Sequence, residues 1–542
     1  MTSRRSFLGT AGSALFGIAV APKLASLPSF NRRAAHDVVI RGGTVFDGTG
    51  APGRELDVAI TGDRITTIAP RIAGHGANEI DARGLAVAPG FIDIHSHGDG
   101  SLDDDPRDES VIRQGVTTIV VGQDGSSRAT GAPEKSFSSY FAALDALRPG
   151  VNVASMVGLG TLRGVVIGDM DRPATPDEIA RMTAMVERAL ADGACGASSG
   201  LEYTPGAFAS REELVALCRP LSSRRLPYAT HMRNEDDRLL DAIDESIAVA
   251  KGAGCPLEIS HLKTQGPRNW PHLDDVFRHI DDAQSSGLDV TFDRYPYLAY
   301  STGLTNLFPV WSRDGGTEAF LARLHDPAVA PRIREATLAK IELIGGWDNV
   351  QLSAIRAVED RDAEGKRLGA SAAAHGADPY DYTVALLERS QGSIGMAGFA
   401  MSEQNLERIL ADPRCMVCSD GGGFAIDGPT RRGSPHPRGI GTFPRVLGRY
   451  VRERRTLTLP DAIRKMTSAP AKRLRLADRG RLAPGLAADV VVFDPARIAD
   501  TATFDQPFQY PIGIAAVLVN GAITLREGER AAGGTGRSLR AK

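Results

Sequence analysis

Phe91-Ile92-Asp93-Ile94-His95-Ser96-His97 is a short apolar run that ends in two histidines. Its length and composition are typical of a buried strand. Residues two apart in an extended chain point the same way, so the imidazoles of His95 and His97 can reach one metal ion. The stretch predicts a strand with metal ligands at its carboxyl end.

Seven further apolar runs follow, and helical patterns lie between several of them. One such pattern, residues 176–191, has Thr175 and Glu178 placed as a capping box and Pro176 at its first position. Eight βα units predict an α/β fold, a (β/α)₈ barrel. The seven runs are 117–121, 151–157, 196–199, 227–230, 257–260, 290–292 and 416–418.

Two features lie outside this repeat. The gap at 294–414 is far longer than one helix needs, which predicts an inserted lid at about 303–400, between strands 7 and 8. Short β-like runs at both chain ends predict a small β-sandwich built from residues 36–88 and 478–530, around a barrel at 89–477. Residues 531–542 are polar and Gly-rich and are expected to form a loose tail.

The first residues resemble an export signal. Arg4 and Arg5 precede Phe7-Leu8 and an apolar stretch to about Ala21, a pattern typical of twin-arginine signal peptides. The stretch is too short for a membrane span of about 20 residues. Residues 1–35 are therefore interpreted as a signal peptide and linker of a periplasmic or secreted protein without a membrane segment after signal removal. A chance pair of arginines is the alternative.

Charge and cysteine content narrow the function classes. The 542 residues carry 63 Lys and Arg against 66 Asp and Glu, a formal charge of −3, so nucleic acid is not an expected partner. A small-molecule substrate is expected, and the sequence leaves the oligomeric state open. Five cysteines do not form a disulfide framework. Cys415 and Cys418 lie in a predicted strand, about 10 Å apart, and are read as packing residues.

Polar residues follow five of the eight runs directly. The carboxyl ends of barrel strands converge on one mouth, so these side chains are expected to form a transition-metal site with open positions. Taken singly, each histidine could be a hydrogen-bonded structural group, and Asp420 could cap a helix. The six residues are His95, His97, Asp124, His231, His261 and Asp420.

The chain resembles the D-aminoacylases, or N-acyl-D-amino-acid deacylases, of the amidohydrolase superfamily. The resemblance covers about residues 37–530. It rests on ordered motifs, which include Pro89 to His97, Gly200-Leu201-Glu202-Tyr203-Thr204-Pro205-Gly206, Thr230-His231-Met232-Arg233-Asn234-Glu235, Ile259-Ser260-His261-Leu262-Lys263, Asp293-Arg294-Tyr295-Pro296-Tyr297, Ser419-Asp420-Gly421 and His436-Pro437-Arg438.

The resemblance implies roles for single residues. Zinc would be held chiefly by His231, His261 and the residue after the second strand, with His95, His97 and Asp420 completing a second, weaker position. Asp420 is also implied as the proton carrier, and Tyr203 is proposed to assist at the carbonyl oxygen. Lys263, Tyr295, Ser301 and Arg438 match positions that hold the substrate's α-carboxylate. Lys263 as a surface charge and Arg438 as a structural ion pair are the alternatives.

One departure concerns the metal. The family has a cysteine after the second strand, where this chain has Asp124. A carboxylate oxygen is harder than a thiolate, so one or two zinc ions or another divalent metal are expected. The predicted activity is hydrolysis of N-acyl-D-amino acids. The alternatives are another amidohydrolase, such as a cyclic amidase or a dipeptidase, and a catalytically weakened periplasmic metal-binding homologue.

Overall fold

The computed structural model describes residues 34–531 and 533–541. The predicted signal peptide with Arg4 and Arg5 lies outside these residues. Within them, none of the helices has the length and apolar character needed to span a bilayer. The first described elements are the strands β1 (His36–Val45), β2 (Arg54–Thr61), β3 (Arg64–Ala69), β4 (Gly76–Asp81) and β5 (Ala86–Pro89).

The barrel strands lie on the predicted apolar runs. They pair in parallel, as expected of a chain that returns through helices after each strand. Met156 interrupts the third run and divides it into two short strands. The first seven runs form β6 (Phe91–Asp93), β7 (Val116–Val121), β8 (Asn152–Ser155) with β9 (Val157–Gly158), β10 (Ala197–Gly200), β11 (Tyr228–His231), β12 (Leu257–Ile259) and β13 (Val290–Arg294).

Helices connect these strands and cover the barrel. In α4, Thr175 Oγ1 accepts a hydrogen bond from the Glu178 N–H, and the Glu178 carboxylate accepts one from the Thr175 N–H, so the predicted capping box is confirmed. The helices are α1 (Glu109–Ile112), α2 (Phe137–Leu147), α3 (Leu159–Val166), α4 (Pro176–Asp192), α5 (Arg211–Arg224), α6 (Leu239–Ala253) and α7 (Leu273–Ser285).

An inserted unit follows β13. Its three strands form an antiparallel sheet in the order β14-β16-β15, and its first strand borders the barrel mouth. The elements are β14 (Ala299–Gly303), α8 (Gly316–Arg323), α9 (Ala330–Leu343), β15 (Val350–Ile355), α10 (Leu368–Ala374), α11 (Pro379–Arg389) and β16 (Ile394–Phe399).

The chain then returns to the barrel and closes it. Helix α12 (Glu403–Ala411) leads into β17 (Cys415–Val417), which pairs with β13. Beyond β17, the Asp420 N–H donates to His95 O at 2.8 Å and the His97 N–H to Gly421 O at 2.9 Å, so the last and first strand ends are joined. The helices α13 (Arg438–Arg445), α14 (Leu459–Met466) and α15 (Ser468–Arg473) follow, with a π-helical segment, Val446–Glu453, after α13.

Strands from both chain ends form one nine-stranded sheet. The last strands are β18 (Val490–Phe493), β19 (Ile514–Val519), β20 (Ala522–Arg526) and β21 (Glu529–Arg530). The sheet order is β21-β20-β19-β18-β5-β1-β2-β3, with β4 paired to β1. Val38 and Val58 from the first strands share one buried apolar cluster with Val490 and Leu518 from the last, which stabilises the association of the two ends.

The expected loose tail is wrong for the described residues 533–541. Val153 of β8 accepts a hydrogen bond from the Leu539 N–H and donates one to Arg537 O, and the Leu539 side chain is buried. Gly534 and Gly536 pass so close to the backbone at 148–151 that a Cβ would clash. The glycines that suggested a loose tail instead permit close packing.

The five cysteines are buried and unpaired. Cys415 and Cys418 belong to different apolar clusters, which confirms that they are packing residues on opposite sides of their strand.

Candidate active site

The predicted metal ligands converge on one end of the barrel. His95 and His97 follow β6, Asp124 follows β7, and His231 ends β11. The two others, His261 and Asp420, follow β12 and β17. The sequence brings them together because every parallel strand of the barrel ends at the same mouth.

Three of these residues have left-handed backbone conformations. The φ angles are 51° at Asp124, 37° at His261 and 49° at Asp420. Such angles are uncommon outside glycine and are found at sites where the surrounding structure holds a side chain in a required direction. The turns aim these three side chains into the barrel mouth.

Asp124 lies at the centre of the ligand set. Its Oδ2 atom is 3.4 Å from His95 Nε2, 3.4 Å from His97 Nε2 and 3.6 Å from His261 Nε2. Ligands at 2.0–2.1 Å from one tetrahedral ion are about 3.3 Å apart, so these separations fit donors that share a cation.

In the described residues, the possible donors form three groups; one consists of Glu202, His231 and Glu235, and the other two share Asp124. One consists of His95, His97, Asp124 and Asp420, in which Asp420 Oδ1 is 3.5 Å from His95 Nε2 and 3.1 Å from His97 Nε2. The other consists of Asp124, His231 and His261, in which His231 Nδ1 is 3.0 Å from His261 Nε2. The arrangement fits two neighbouring cations bridged by one carboxylate.

Several donor atoms are buried without partners in the described part of the chain. Both ring nitrogens of His95, Asp124 Oδ1 and His231 Nε2 belong to this set. Buried polar atoms are nearly always satisfied in folded proteins, so this set fits a cation as the missing partner.

The pKa shifts of the site residues also agree with a cation at this position. Burial lowers the pKa of His97, but hydrogen bonds with Asp124 and Asp420 outweigh it and raise that pKa to about 9. Burial raises the pKa of Asp124, but the charges of His95 and His261 hold it well below the ordinary value. The carboxylates thus attract positive charge to this point, as a protonated imidazole or as a metal ion.

The candidate carboxylate-binding residues line the same cavity of about 470 Å³. Arg438 Nη2 donates to Ser301 O at 3.3 Å, and its guanidinium lies 4.8 Å from the centre of the Tyr295 ring. Tyr295 Oη has no hydrogen-bond partner in residues 34–531 and 533–541. These three residues leave polar atoms able to meet an anionic group.

Lys263 has a different environment from the one expected. Its Nζ atom is 2.5 Å from Glu235 Oε1 and 2.6 Å from His261 Nδ1, and its side chain is 2% exposed. Gln265 donates to the other Glu235 oxygen at 2.7 Å. Lys263 lines the cavity as half of a buried ion pair, and the alternative of a surface charge is wrong.

Tyr203 lines the same cavity as Arg438. Its hydroxyl accepts a hydrogen bond from Thr302 Oγ1 at 3.2 Å, and its ring is 4.7 Å from the His231 ring. Burial, with the charge of Asp124, holds the Tyr203 pKa well above its ordinary value, so the hydroxyl remains a proton donor.

The structure adds residues that the sequence did not single out. Asp293 Oδ1 accepts the backbone N–H of His261 at 2.7 Å and is 3.6 Å from His95 Nδ1, so it fixes the turn at His261 and faces the His95 imidazole. Glu202 and Glu235 also line the cavity. Glu202 follows the fourth barrel strand, and the rule that selected the other strand-end residues could have found it.

Comparisons with known proteins agree with the fold. The profile described as "Amidohydrolase family" matches residues 78–305 and 423–525. The D-aminoacylase of Alcaligenes xylosoxydans xylosoxydans is 36% identical over 91% of this chain and 95% of its own length. The N-acyl-D-glutamate deacylase of the same organism is 37% identical over 90% of this chain and 93% of its own length.

A solved structure covers the same range. The N-acyl-D-glutamate deacylase from Bordetella bronchiseptica, crystallised with zinc and a phosphonate mimic of the tetrahedral intermediate, has a TM-score of 0.79 and 37% identity. The match covers 93% of this chain and all of that one.

Proposed function

Because this chain belongs to the amidohydrolase family and, within it, to the D-aminoacylases, we propose that it hydrolyses N-acyl-D-amino acids to a carboxylate and a free D-amino acid. It is a metal-dependent hydrolase acting on linear amides. The proposal uses the roles that the sequence predicted for the site residues.

One observation carries the proposal. A cation-binding group and a carboxylate-binding group share one cavity, because Asp420 of the first contacts Arg438 of the second at 2.6 Å. A substrate whose α-carboxylate meets Arg438, Tyr295 and Ser301 would place its amide next to the metal ligands. A free carboxylate adjacent to an amide is the chemistry of an N-acyl amino acid.

The residues present fit a divalent metal. His231, His261 and Asp124 would hold one ion, and His95, His97, Asp124 and Asp420 a second. The chemistry supplied by such an ion is a lower pKa of bound water, towards ~7, and polarisation of the scissile carbonyl. Zinc is the proposed ion, since it is present in the related crystal structure, and the oxygen ligand Asp124 also suits harder divalent metals.

Asp420 is proposed to move the proton. Its Oδ1 faces His95 and His97, and its Oδ2 accepts from Arg438 Nη1. Burial raises the pKa of Asp420, but the charge of Arg438 outweighs it and keeps the carboxylate ionised and able to take a proton from the attacking water. The same group then delivers that proton to the departing amine.

Substrate handedness follows from three fixed contacts. Arg438 can hold a carboxylate with two hydrogen bonds, and Tyr203 is proposed to donate to the carbonyl oxygen. With these two groups and the side chain each bound to a different wall, only one enantiomer presents its amide to Asp420. We propose that this is the D series.

We also propose that the chain is exported by the twin-arginine route, as the motif around Arg4 and Arg5 suggests. Twin-arginine export carries folded proteins, which suits an enzyme that binds its metal before export. Cell fractionation of the native chain and of an Arg4→Lys, Arg5→Lys variant tests this. Equal periplasmic amounts of both would exclude the route.

The activity is tested with the purified full chain, with metal content measured on the same sample. N-acetyl derivatives of several D-amino acids are compared with their L enantiomers, with hydantoin and with a dipeptide. Turnover confined to the D series supports the proposal. Faster turnover of hydantoin or the dipeptide would favour the other amidohydrolase reactions, and metal binding without turnover would indicate a silent homologue.

A further inference from the structure

Glu202 is a carboxylate in the cavity wall with no role in the reaction as described. It follows β10, its residue is 7% exposed, and it faces the cavity. Asn306 Nδ2 donates to its Oε2 atom at 3.0 Å. Asn306 belongs to the inserted unit, so Glu202 lies where the barrel meets the insertion.

The four carboxylates of the cavity wall differ in what they contact. Asp124 and Asp420 face the metal-ligating histidines, and Glu235 is paired with Lys263. Within the described residues, Glu202 has no Lys or Arg at ion-pair distance from its carboxylate. The nearby ammonium of Lys340 is hydrogen-bonded to Asp236 at 2.5 Å, and Arg313 donates to the backbone oxygen of Glu202. Against the effect of burial, the charges of Lys340 and His231 lower the pKa of Glu202, so the carboxylate is ionised, and no Lys or Arg side chain of the described residues occupies the space beside it.

Among its described residues, the cavity wall offers no aliphatic side chain to pack against an aliphatic group of the substrate. In the described part of the chain, every lining side chain is polar, charged or a tyrosine, and none is Val, Leu, Ile, Met or Phe. Burying an aliphatic group there would desolvate polar atoms without giving them a partner. The two lining Lys and Arg side chains, Lys263 and Arg438, are each paired with an acid, so a second acidic group on the substrate finds no Lys or Arg among the described lining residues that lacks an acidic partner.

We propose that Glu202 receives the substrate's side chain and that the preferred substrates are N-acyl-D-amino acids with a cationic side chain. This rests on the proposed function and adds the substrate class. Overall sequence identity does not decide which substrate side chain is preferred, since the relatives named D-aminoacylase and N-acyl-D-glutamate deacylase are 36% and 37% identical to this chain. The wall chemistry favours an ammonium or guanidinium group over both an aliphatic and an acidic one.

Glu202 has a second contact that the test must separate. Its Oε2 atom is 3.5 Å from His231 Nε2, so a substitution can also disturb a metal ligand. Such a disturbance would lower turnover of every substrate by the same factor. Loss of a contact between Glu202 and the substrate's side chain would instead change the ratio of turnover between substrates.

The experiment measures kcat/KM for N-acetyl-D-lysine, N-acetyl-D-leucine and N-acetyl-D-glutamate. The native enzyme should use the lysine derivative at least tenfold better than the other two. In Glu202→Gln, kcat/KM for the lysine derivative should fall about 10- to 100-fold, the cost of losing a charged hydrogen bond. The leucine derivative should change less than threefold, and the glutamate derivative should improve. Glu212→Gln, an exposed glutamate on α5, is the control.

Two further measurements make the result decisive. Glycyl-D-leucine carries its cation on the acyl side, and a preference for it over N-acetyl-D-lysine would overturn the side-chain assignment. Binding of free D-lysine by calorimetry should weaken in Glu202→Gln at unchanged metal content. An equal loss for all substrates would overturn the proposal in favour of a role through His231, whereas no turnover of any N-acyl-D-amino acid by the native chain would overturn the proposed function itself.

Discussion

Arg438 Nη1 lies 2.6 Å from Asp420 Oδ2, and both side chains are buried. The pair joins the group that would hold the substrate's carboxylate to the group that would carry the proton. In the proposed mechanism, substrate binding and proton transfer would therefore be coupled electrostatically, because a change at Arg438 alters the charge that Asp420 experiences.

Arg438→Met should move the acid limb of the pH–rate profile to higher pH. The Arg438 guanidinium holds the pKa of Asp420 below its ordinary value, although burial acts in the opposite direction. Without that charge the Asp420 pKa rises, and the ionised form that accepts the proton is lost at a higher pH than in the native enzyme. The profile of kcat against pH measures this, and KM should also rise. Arg431→Met, at an exposed arginine in the preceding loop, is the control, and an unmoved acid limb would contradict the coupling.

Asp420→Asn should reduce kcat by about 10²- to 10⁴-fold, the usual contribution of a general acid–base group. Asparagine keeps the shape and the hydrogen bond from Arg438 but cannot accept the proton. Turnover is measured at saturating metal with the metal content of the same sample, which separates chemistry from ligand loss. Asp427→Asn, at a 70% exposed side chain, should leave kcat unchanged. Near-native turnover of the Asp420 variant would refute the assignment.

The barrel and the set of candidate metal ligands could be predicted from the apolar runs and the polar residues that follow them, because both depend on the direction of the chain. All eight apolar runs became strands, and parallel strands necessarily bring their carboxyl-end residues to one mouth. No knowledge of side-chain contacts was needed for His95, Asp124 or His261. Topology alone decided which residues meet.

Pairing between side chains was harder to predict. Lys263 and Arg438 were each expected to bind the substrate's carboxylate, with a structural ion pair named as the alternative for Arg438 alone, and the structure pairs them with Glu235 and Asp420. Buried charges need partners at a distance of a few ångströms, and those partners are far away in the sequence. The packed tail at 533–541 was missed for a related reason, since its backbone hydrogen bonds to Val153 leave no periodic pattern.

Gly200→Ala should weaken metal binding although Gly200 is not a ligand. A Cβ on Gly200 would lie 2.1 Å from Asp124 O, so the turn that aims the Asp124 carboxylate would have to move. A shift of even a few tenths of an ångström would change the distances at which the Asp124 carboxylate could hold a metal ion. We expect at least a tenfold weaker metal affinity by chelator competition, a typical loss when a supporting group is altered.

The control for this substitution is Gly100→Ala. Gly100 lies near the same mouth, after β6, and a Cβ there meets nothing within 4 Å. Its metal affinity should match the native value. If the two variants bound metal equally well, the Asp124 turn would not determine the affinity.

Metal affinity should rise with pH between 6 and 8. Without metal the pKa of His97 is about 9, because its hydrogen bonds with Asp124 and Asp420 outweigh the effect of burial, so the ring must lose a proton before it can bind an ion. Each proton released adds about a tenfold gain in affinity per pH unit. Competition with a chromophoric chelator at several pH values measures the slope. His97→Asn should reduce it, whereas His75→Asn, at a side chain that is 82% exposed, should not.

The raised pKa of His97 also affects the stability of the metal-free protein. Stability should fall as the pH rises, whereas metal affinity rises. The raised folded-state pKa of His97 contributes stability that is fully present below the unfolded value of 6.5 and is lost as the pH rises towards 9. The Tm of the metal-free native chain should therefore fall across this window by more than that of His97→Asn, while added metal should raise the Tm most at the upper end. Parallel Tm curves for the two metal-free proteins would show that the carboxylates do not hold a proton on His97.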